Sequence, residues 1–185
     1  MDGRIPLILD GGPCRYGVES TVLSLAGTPT ILRPGAVTKE MLAAVLGEVA
    51  LAPSILQPLG AGEKAASPGM KYKHYAPDAQ VLVAVGEAEA AAARLSALYD
   101  EFTAQNKRVA IAATAEALPF YGDRRTALVG TRRDPATLCS RLFALLRELD
   151  ASSDVILAEG VGTAGTGLAF MNRLLRSAGF RVEYL

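Results

Sequence analysis

From residue 79 onwards, short apolar runs alternate with longer segments that carry apolar residues at helical spacing. The runs have the length and composition of buried strands, and the intervening segments are typical of amphipathic helices. Helices are predicted at 87–105, from Asp134-Pro135 onwards and at 166–178. Strands are predicted at 79–86, 108–114, 126–130, 154–159 and 181–185. Because strands alternate with helices, we expect an α/β fold with a Rossmann-like, mostly parallel sheet and helices on both faces.

The beginning of the chain follows a different pattern. Apolar runs at 4–9, 19–25 and 30–33 predict three short strands in a mixed, mainly antiparallel arrangement. A helix should follow, with Thr38 as its N-cap and Gly47 just after its end. One face of this helix is expected to carry Met41, Leu42, Val45 and Leu46. Three strands and one helix are too few to enclose a core, so this α+β unit is predicted to be incomplete.

Four prolines and three glycines interrupt every periodic pattern between these two parts. The chain is therefore divided into an incomplete unit at 1–50, a linker at 51–77 and an α/β domain at 78–185. The linker ends in "SPGMKYKHYAP" at 67–77, which contains the single histidine of the chain, two lysines and two tyrosines.

This linker motif is the strongest chemical signal in the sequence. Lys71, Lys73 and His74 place positive or proton-donating groups within four residues, and Tyr72 and Tyr75 add rings and hydroxyls. An extended, ordered segment of this kind could close over a phosphorylated ligand. The alternative is a solvated basic linker, which poorly explains the two tyrosines.

Charge and cysteine content limit the classes of partner. Nineteen basic residues balance nineteen acidic ones in 185 residues, so any contact with RNA is expected to be local and weak. No apolar run approaches membrane-spanning length, and no membrane contact is expected. Cys14 and Cys139 lack metal-ligand spacing, which favours reduced thiols in a cytoplasmic protein, each a small buried apolar residue.

Two further groups of residues could form sites. Asp10-Gly11-Gly12 with Glu19-Ser20-Thr21 could hold the polar head of a small molecule, but a turn followed by a strand is favoured. Arg33 ends a predicted strand and could hold a phosphate by its planar fork. A solvated charge explains Arg33 equally well.

Residues 160–165 formally match the dinucleotide motif GxGxxG after a strand, with Glu183 downstream. In dinucleotide-binding folds this motif opens the first βαβ unit, whereas here only one strand follows it. A glycine-rich turn that lets helix and sheet approach closely is therefore favoured. Nicotinamide or flavin binding at this turn is a third, weaker hypothesis.

The segments "ILDGG", "GVESTVLSL" and "TILRPG", followed by "SPGMKYKHYAP", resemble the threonylcarbamoyl-AMP synthase family. That family has a YrdC-like domain joined by a linker to a Rossmann-like companion domain. The C-terminal "EGVGTAGTGLAFMNRLLRSAG" also resembles the companion domain. The resemblance covers essentially the whole chain, and the linker motif is long and specific.

The resemblance implies that threonine, bicarbonate and ATP are converted to threonylcarbamoyl-adenylate and pyrophosphate, usually with Mg²⁺. The product would pass to the machinery that modifies an adenosine of certain tRNAs. By the same resemblance, Ser20 would contact threonine, and Arg33 and His74 would contact ATP. A linker gate would include Lys71, Tyr72, Lys73 and Tyr75. No catalytic residue and no metal ligand is identified.

One departure from the family limits what this chain is expected to do alone. The family's catalytic domain begins well upstream of "ILDGG", and its ATP-binding Lys/Arg pair and Ser-x-Asn element lie in that upstream part. We therefore expect a C-terminal fragment, inactive by itself, that works with an N-terminal YrdC-like half. The alternative is a non-catalytic binding or regulatory module at 78–185 that docks on a separate catalytic domain.

Overall fold

The computed structural model describes residues 3–12, 14–60, 62, 67 and 76–185. The strands are β1 (Val22–Ser24), β2 (Thr30–Arg33), β3 (Ala50–Leu51), β4 (Gln80–Val85), β5 (Val109–Thr114), β6 (Thr126–Gly130), β7 (Val155–Gly160) and β8 (Val182–Tyr184). The helices are α1 (Lys39–Leu46), α2 (Ala88–Ala104), α3 (Pro135–Asp150) and α4 (Gly167–Ser177). Short 3-10 turns lie at Pro53–Ile55 and Leu118–Phe120.

Five parallel strands form the main sheet, in the order β6-β5-β7-β4-β8. Alternate residues of each strand point to opposite faces. On one face Val81, Ala110 and Ile156 pack against α3 and α4. On the other face Ile111 and Leu157 pack against α2. The expected α/β fold with helices on both faces is thus confirmed.

The centre of the sheet explains why its strands could be recognised from the sequence. Every residue of β5 and of β7 is buried, as expected for parallel strands that are covered on both faces. Within the domain, the predicted ends of strands and helices differ from the observed ones by no more than one residue. Asp134 caps α3 by accepting a hydrogen bond from the backbone N–H of Ala136 at 3.2 Å.

A second, smaller sheet is built from the first part of the chain. Strand β1 pairs antiparallel with β2, and β2 pairs parallel with β3. Ile31, Val49 and Ile55 are buried there together with Leu168 of α4. The small core therefore depends on a helix that belongs to the main sheet.

Helix α1 begins as predicted, because the Thr38 hydroxyl accepts a hydrogen bond from the backbone N–H of Met41 at 3.3 Å. Gly47 follows the helix with a φ of 78°. Leu42 packs on the small core. Val45 is 83% exposed, so the predicted apolar face is largely uncovered by the described residues.

Two predictions for the beginning of the chain are wrong. Residues 4–9 form no strand and are exposed, with Leu9 at 89%. A strand needs a partner for its backbone hydrogen bonds, and none of the described strands pairs with this segment. Cys14 is exposed instead of buried, whereas Cys139 is buried as expected. Burial raises the pKa of the Cys139 thiol to about 11.

In the described part of the chain, no helix has the length and apolar character needed to cross a membrane.

Glycines allow a close approach at the turn between β7 and α4. A Cβ atom on Gly160 would lie 2.4 Å from Cγ2 of Val85, and one on Gly167 would lie 2.2 Å from the carbonyl oxygen of Gly162. These distances are far below van der Waals contact. The chain therefore packs closely at Gly160, where the turn begins, and at Gly167, the first residue of α4.

Gly167→Ala is expected to lower the free energy of unfolding by about 1–3 kcal/mol, because the new methyl group would force backbone apart at the start of α4. Urea denaturation measures the change. The matched control is Gly162→Ala in the same turn, where a Cβ would meet nothing within 4 Å. Equal stability of the two variants would contradict this account.

Candidate functional site

Ser20 and Arg33, two of the predicted site residues, lie in contact. The antiparallel register of β1 and β2 pairs Val22 with Arg33 and so brings the arginine beside the residues that precede β1. Nε of Arg33 donates to the carbonyl oxygen of Ser20 at 2.9 Å, and Nη2 donates to its hydroxyl oxygen at 3.2 Å. The pair is 13 residues apart in the sequence.

The loop after β2 packs against the backbone of residues 19–21, next to this pair. A Cβ atom on Gly35 would lie 2.4 Å from the backbone nitrogen of Thr21 and 2.5 Å from the carbonyl oxygen of Glu19. The Thr21 hydroxyl donates to the carbonyl oxygen of Val37 at 2.6 Å. Glycine is required at position 35 because the two backbones touch there.

The chemistry of this pair suits binding. Ser20 is exposed and Arg33 is half-buried, so the serine hydroxyl is accessible at the surface. A guanidinium group is a permanent donor and cannot act as the general base that would activate a serine nucleophile. The arrangement can hold a polar, negatively charged ligand, and it contains no nucleophile–base pair.

The glycine turn at residues 10–12 behaves as the alternative interpretation predicts. The backbone N–H of Gly12 donates to Oδ1 of Asp10 at 2.8 Å, which is the local bond of an Asx turn. All three residues are exposed.

The linker residues Lys71, Tyr72, Lys73, His74 and Tyr75 lie outside the described residues, so their roles stay predictions.

A second polar cluster lies at the carboxyl edge of the main sheet. Glu159, near the end of β7, is completely buried. It accepts hydrogen bonds from the backbone and hydroxyl of Thr114 at 3.0 and 2.7 Å and from the Tyr121 hydroxyl at 2.9 Å. Nη2 of Arg132 lies 3.0 Å from the carboxylate.

The sequence patterns described above did not predict this cluster. The available signal was a glutamate that ends an otherwise apolar strand, at the edge where parallel sheets bind ligands. Arg132 also donates to the carbonyl oxygen of Gly86 at 2.7 Å and so ties β4 to β7. Burial, followed by the charge of Glu159, raises the pKa of Tyr121. Because these groups bond to one another, the cluster stabilises the sheet edge.

Glu116 fixes the neighbouring loop after β6. Partial burial alone would raise the pKa of its carboxyl. Hydrogen bonds from the Thr131 hydroxyl and from the backbone N–H groups of Arg132 and Arg133 outweigh that effect and lower the pKa to about 2.

Residues 3–12, 14–60, 62, 67 and 76–185 contain no group of three histidine, cysteine, aspartate or glutamate side chains that could hold a metal ion. The expected Mg²⁺ therefore stays a prediction with no protein ligand identified, and we derive no step through it.

Comparison with known families matches residues 37–179 to the model "Threonylcarbamoyl-AMP synthase, C-terminal domain". Threonylcarbamoyl-AMP synthases of Bacillus subtilis (strain 168), Pyrococcus abyssi (strain GE5 / Orsay) and Schizosaccharomyces pombe are 41%, 37% and 35% identical to the chain. The alignments cover 98%, 97% and 96% of it. The chain spans 51%, 51% and 46% of these relatives, which is about half their length.

Two solved structures share the fold at 34% identity. The crystal structure of P. abyssi Sua5 complexed with L-threonine matches with a TM-score of 0.85, over 100% of this chain and 52% of that one. A P. abyssi Sua5 variant, in which a histidine and the next residue, a tyrosine, are replaced by alanine, matches with a TM-score of 0.81. That match covers 95% of this chain and 49% of the variant.

Glu116→Gln is expected to lower the free energy of unfolding at pH 7 by about 1–2 kcal/mol, because three donors lose their charged acceptor. The folded-state pKa of about 2 lies below the ordinary 4.5, so this stabilisation is complete above pH 4.5 and is lost towards pH 2. The difference from the unsubstituted chain, measured by urea unfolding, should shrink between pH 4.5 and pH 2.5.

The exposed Glu48→Gln is the matched control and should change stability little at any pH. A Glu116→Gln deficit that stays constant down to pH 2.5 would contradict the assignment.

Proposed function

Because the chain belongs to the threonylcarbamoyl-AMP synthase family, we propose that it takes part in forming threonylcarbamoyl-AMP and pyrophosphate from L-threonine, bicarbonate and ATP. The product would serve tRNA threonylcarbamoyladenosine modification. One observation carries the proposal: the accessible Ser20–Arg33 contact lies in a fold that matches the threonine complex of P. abyssi Sua5 over 100% of this chain.

Ser20 is proposed to contact threonine. The residue is exposed, and three neighbouring contacts fix its position. They are the hydrogen bonds from Arg33, the backbone of Gly35, and the hydrogen bond from the Thr21 hydroxyl to Val37 in the loop after β2. A preordered hydroxyl binds an amino acid at a lower entropic cost than a mobile one.

Arg33 is proposed to neutralise charge on the ATP phosphates. In the proposed reaction the carboxylate of the threonine carbamate attacks the α-phosphorus of ATP, a new P–O bond forms, and pyrophosphate leaves. The attacking carboxylate is already ionised, so the step needs no general base. Its rate then depends on alignment of the reactants and on stabilisation of negative charge, which a guanidinium beside the threonine site provides.

The linker is proposed to close over this site, with His74 in contact with ATP and Lys71, Tyr72, Lys73 and Tyr75 completing the gate. One comparison supports this choice. A P. abyssi Sua5 variant with an adjacent histidine and tyrosine replaced has been solved, and the single histidine of this chain also precedes a tyrosine.

Activity is proposed to require a further, N-terminal catalytic half. The relatives are about twice as long as this chain. Among the described residues, most of the exposed large apolar side chains belong to the small N-terminal unit: Ile5, Leu7, Ile8, Leu9, Leu25, Val37, Met41, Val45 and Leu46. Such a concentration of apolar surface is typical of a face that another part covers.

A second candidate function is a regulatory module that docks on a catalytic domain. The observation that favours it is the complete core of the main sheet, which is covered by helices on both faces.

Fusing the N-terminal half of the B. subtilis relative to this chain should give an enzyme that releases pyrophosphate from ATP only when threonine and bicarbonate are present. Neither part alone should be active. Turnover is measured by pyrophosphate release and by mass detection of the adenylate. A well-folded fusion that binds threonine without turnover would favour the regulatory module.

In that fusion, Arg33→Lys should lower kcat/KM by about 100-fold, because lysine keeps the charge and loses the planar fork that holds Ser20. Ser20→Ala should raise KM for threonine about tenfold, since one hydrogen bond to the ligand is lost. The matched control is the exposed Arg141→Lys on α3, which should leave both constants unchanged. Unchanged kinetics in Arg33→Lys would remove this residue from the proposed site.

A further inference from the structure

The residues just before Ser20 lie against the main domain. A Cβ atom on Gly17 would lie 2.7 Å from the carbonyl oxygen of Ser140 and 2.8 Å from that of Cys139, so its backbone touches α3 directly. The side chain of Val18 packs against the core under α3 and α4. The segment that leads into the proposed threonine site is therefore supported by the companion domain.

The next residue, Glu19, forms an ion pair with that domain. Its Oε2 lies 2.8 Å from Nε of Arg173 on α4. Arg173 is 3% exposed, so its charge is removed from bulk water and needs an anionic neighbour. The side chain of Glu19 is 27% exposed. Glu19 directly precedes the exposed Ser20, so the ion pair with the buried Arg173 lies beside the proposed site.

A second arginine increases the need for that carboxylate. Burial, and then the charge of Arg173, lowers the pKa of Arg176 one turn further along α4. Two like charges on one buried helix face repel each other, and a carboxylate at position 19 offsets the repulsion.

Helix α4 also contacts the 3-10 turn at Pro53–Ile55 and the small core beneath β2, the strand that carries Arg33. The Asn172 amide donates to the carbonyl oxygen of Ile55 at 2.6 Å, and Arg176 donates to that of Ser54 at 2.7 Å. Leu168 packs in the same small core as Ile31, two residues before Arg33 in β2. Helix α4 thus contacts both the segment before Ser20, through Glu19, and the strand that carries Arg33, through Ile31.

We propose that Arg173 is a positioning residue. Its ion pair with Glu19 fixes the backbone at Ser20, and helix α4 thereby sets the affinity of the site for its amino-acid ligand. The identity of that ligand as threonine rests on the proposed function, whereas the positioning role rests on the contacts alone. Without the pair, the segment 19–21 would lose its ionic contact with α4, and ligand binding would have to order the segment.

The first test is amide hydrogen exchange on the chain itself, read on peptides that cover residues 17–24. Arg173→Met keeps the length of the side chain and removes its charge, and it should speed exchange there by about tenfold. Glu19→Gln is nearly isosteric and leaves no cavity, so it should act in the same way even if Arg173→Met folds poorly.

The matched control is Arg94→Met, which removes another ion pair, the one with Glu183 of the edge strand β8 at 2.6 Å. It should leave exchange in 17–24 unchanged. Unchanged exchange in both Glu19→Gln and Arg173→Met would overturn the proposal.

The second test uses the fusion enzyme. Arg173→Met and Glu19→Gln should each raise KM for threonine about tenfold with kcat changed less than about threefold. The double variant should be no worse than either single one, because both remove the same interaction. A purely structural role would lower kcat through a smaller folded fraction and leave KM unchanged, and that result would overturn the proposal.

The two tests separate this proposal from the proposed function. An inactive fusion with faster exchange in 17–24 would refute the synthase activity and support the positioning role. An active fusion in which Arg173→Met leaves KM for threonine unchanged would refute the positioning role and support the activity.

Discussion

Helix α4 is packed on almost every side, with ten of its eleven residues buried. Such a helix has no solvated face for its polar side chains, so each of them must find a partner within the protein. Asn172, Arg173 and Arg176 find theirs in the small N-terminal unit, at Ile55, Glu19 and Ser54. Separating the two units would break these polar contacts and expose the apolar core that Leu168 completes. These contacts hold the small unit against the main sheet.

The small unit gains its shape from that attachment. Its core contains three buried side chains of its own and is completed by Leu168 of α4. Two glycine positions then bring backbone onto backbone, Gly17 against α3 and Gly35 against the segment 19–21. The proposed substrate contacts therefore depend on packing that the main sheet and its helices provide.

The sequence predicted the main domain well because its central strands are buried on both faces and helices α2 and α3 each have one apolar side, so these elements carry their own signal. Prediction failed where structure depends on a partner. The apolar run at 4–9 has the composition of a strand, yet none of the described strands pairs with it. Ser20 and Arg33 could each be chosen from the family resemblance, but their contact follows from the β1–β2 register. Glu159 and Arg132 meet only through the crossover order of the sheet, and a buried Arg173 resembles any helix arginine in sequence.

Because the two cores differ in size, we expect the small unit to unfold before the main sheet. The main sheet keeps its core when the small unit detaches, whereas the small unit loses Leu168 and its charge partners at once. Partial unfolding follows the weakest cooperative unit first. Under mild stress such a protein would lose the proposed ligand site while its circular dichroism still reported most of the native helix and strand. In a cell, this chain would therefore keep most of its secondary structure after the proposed ligand site had been lost.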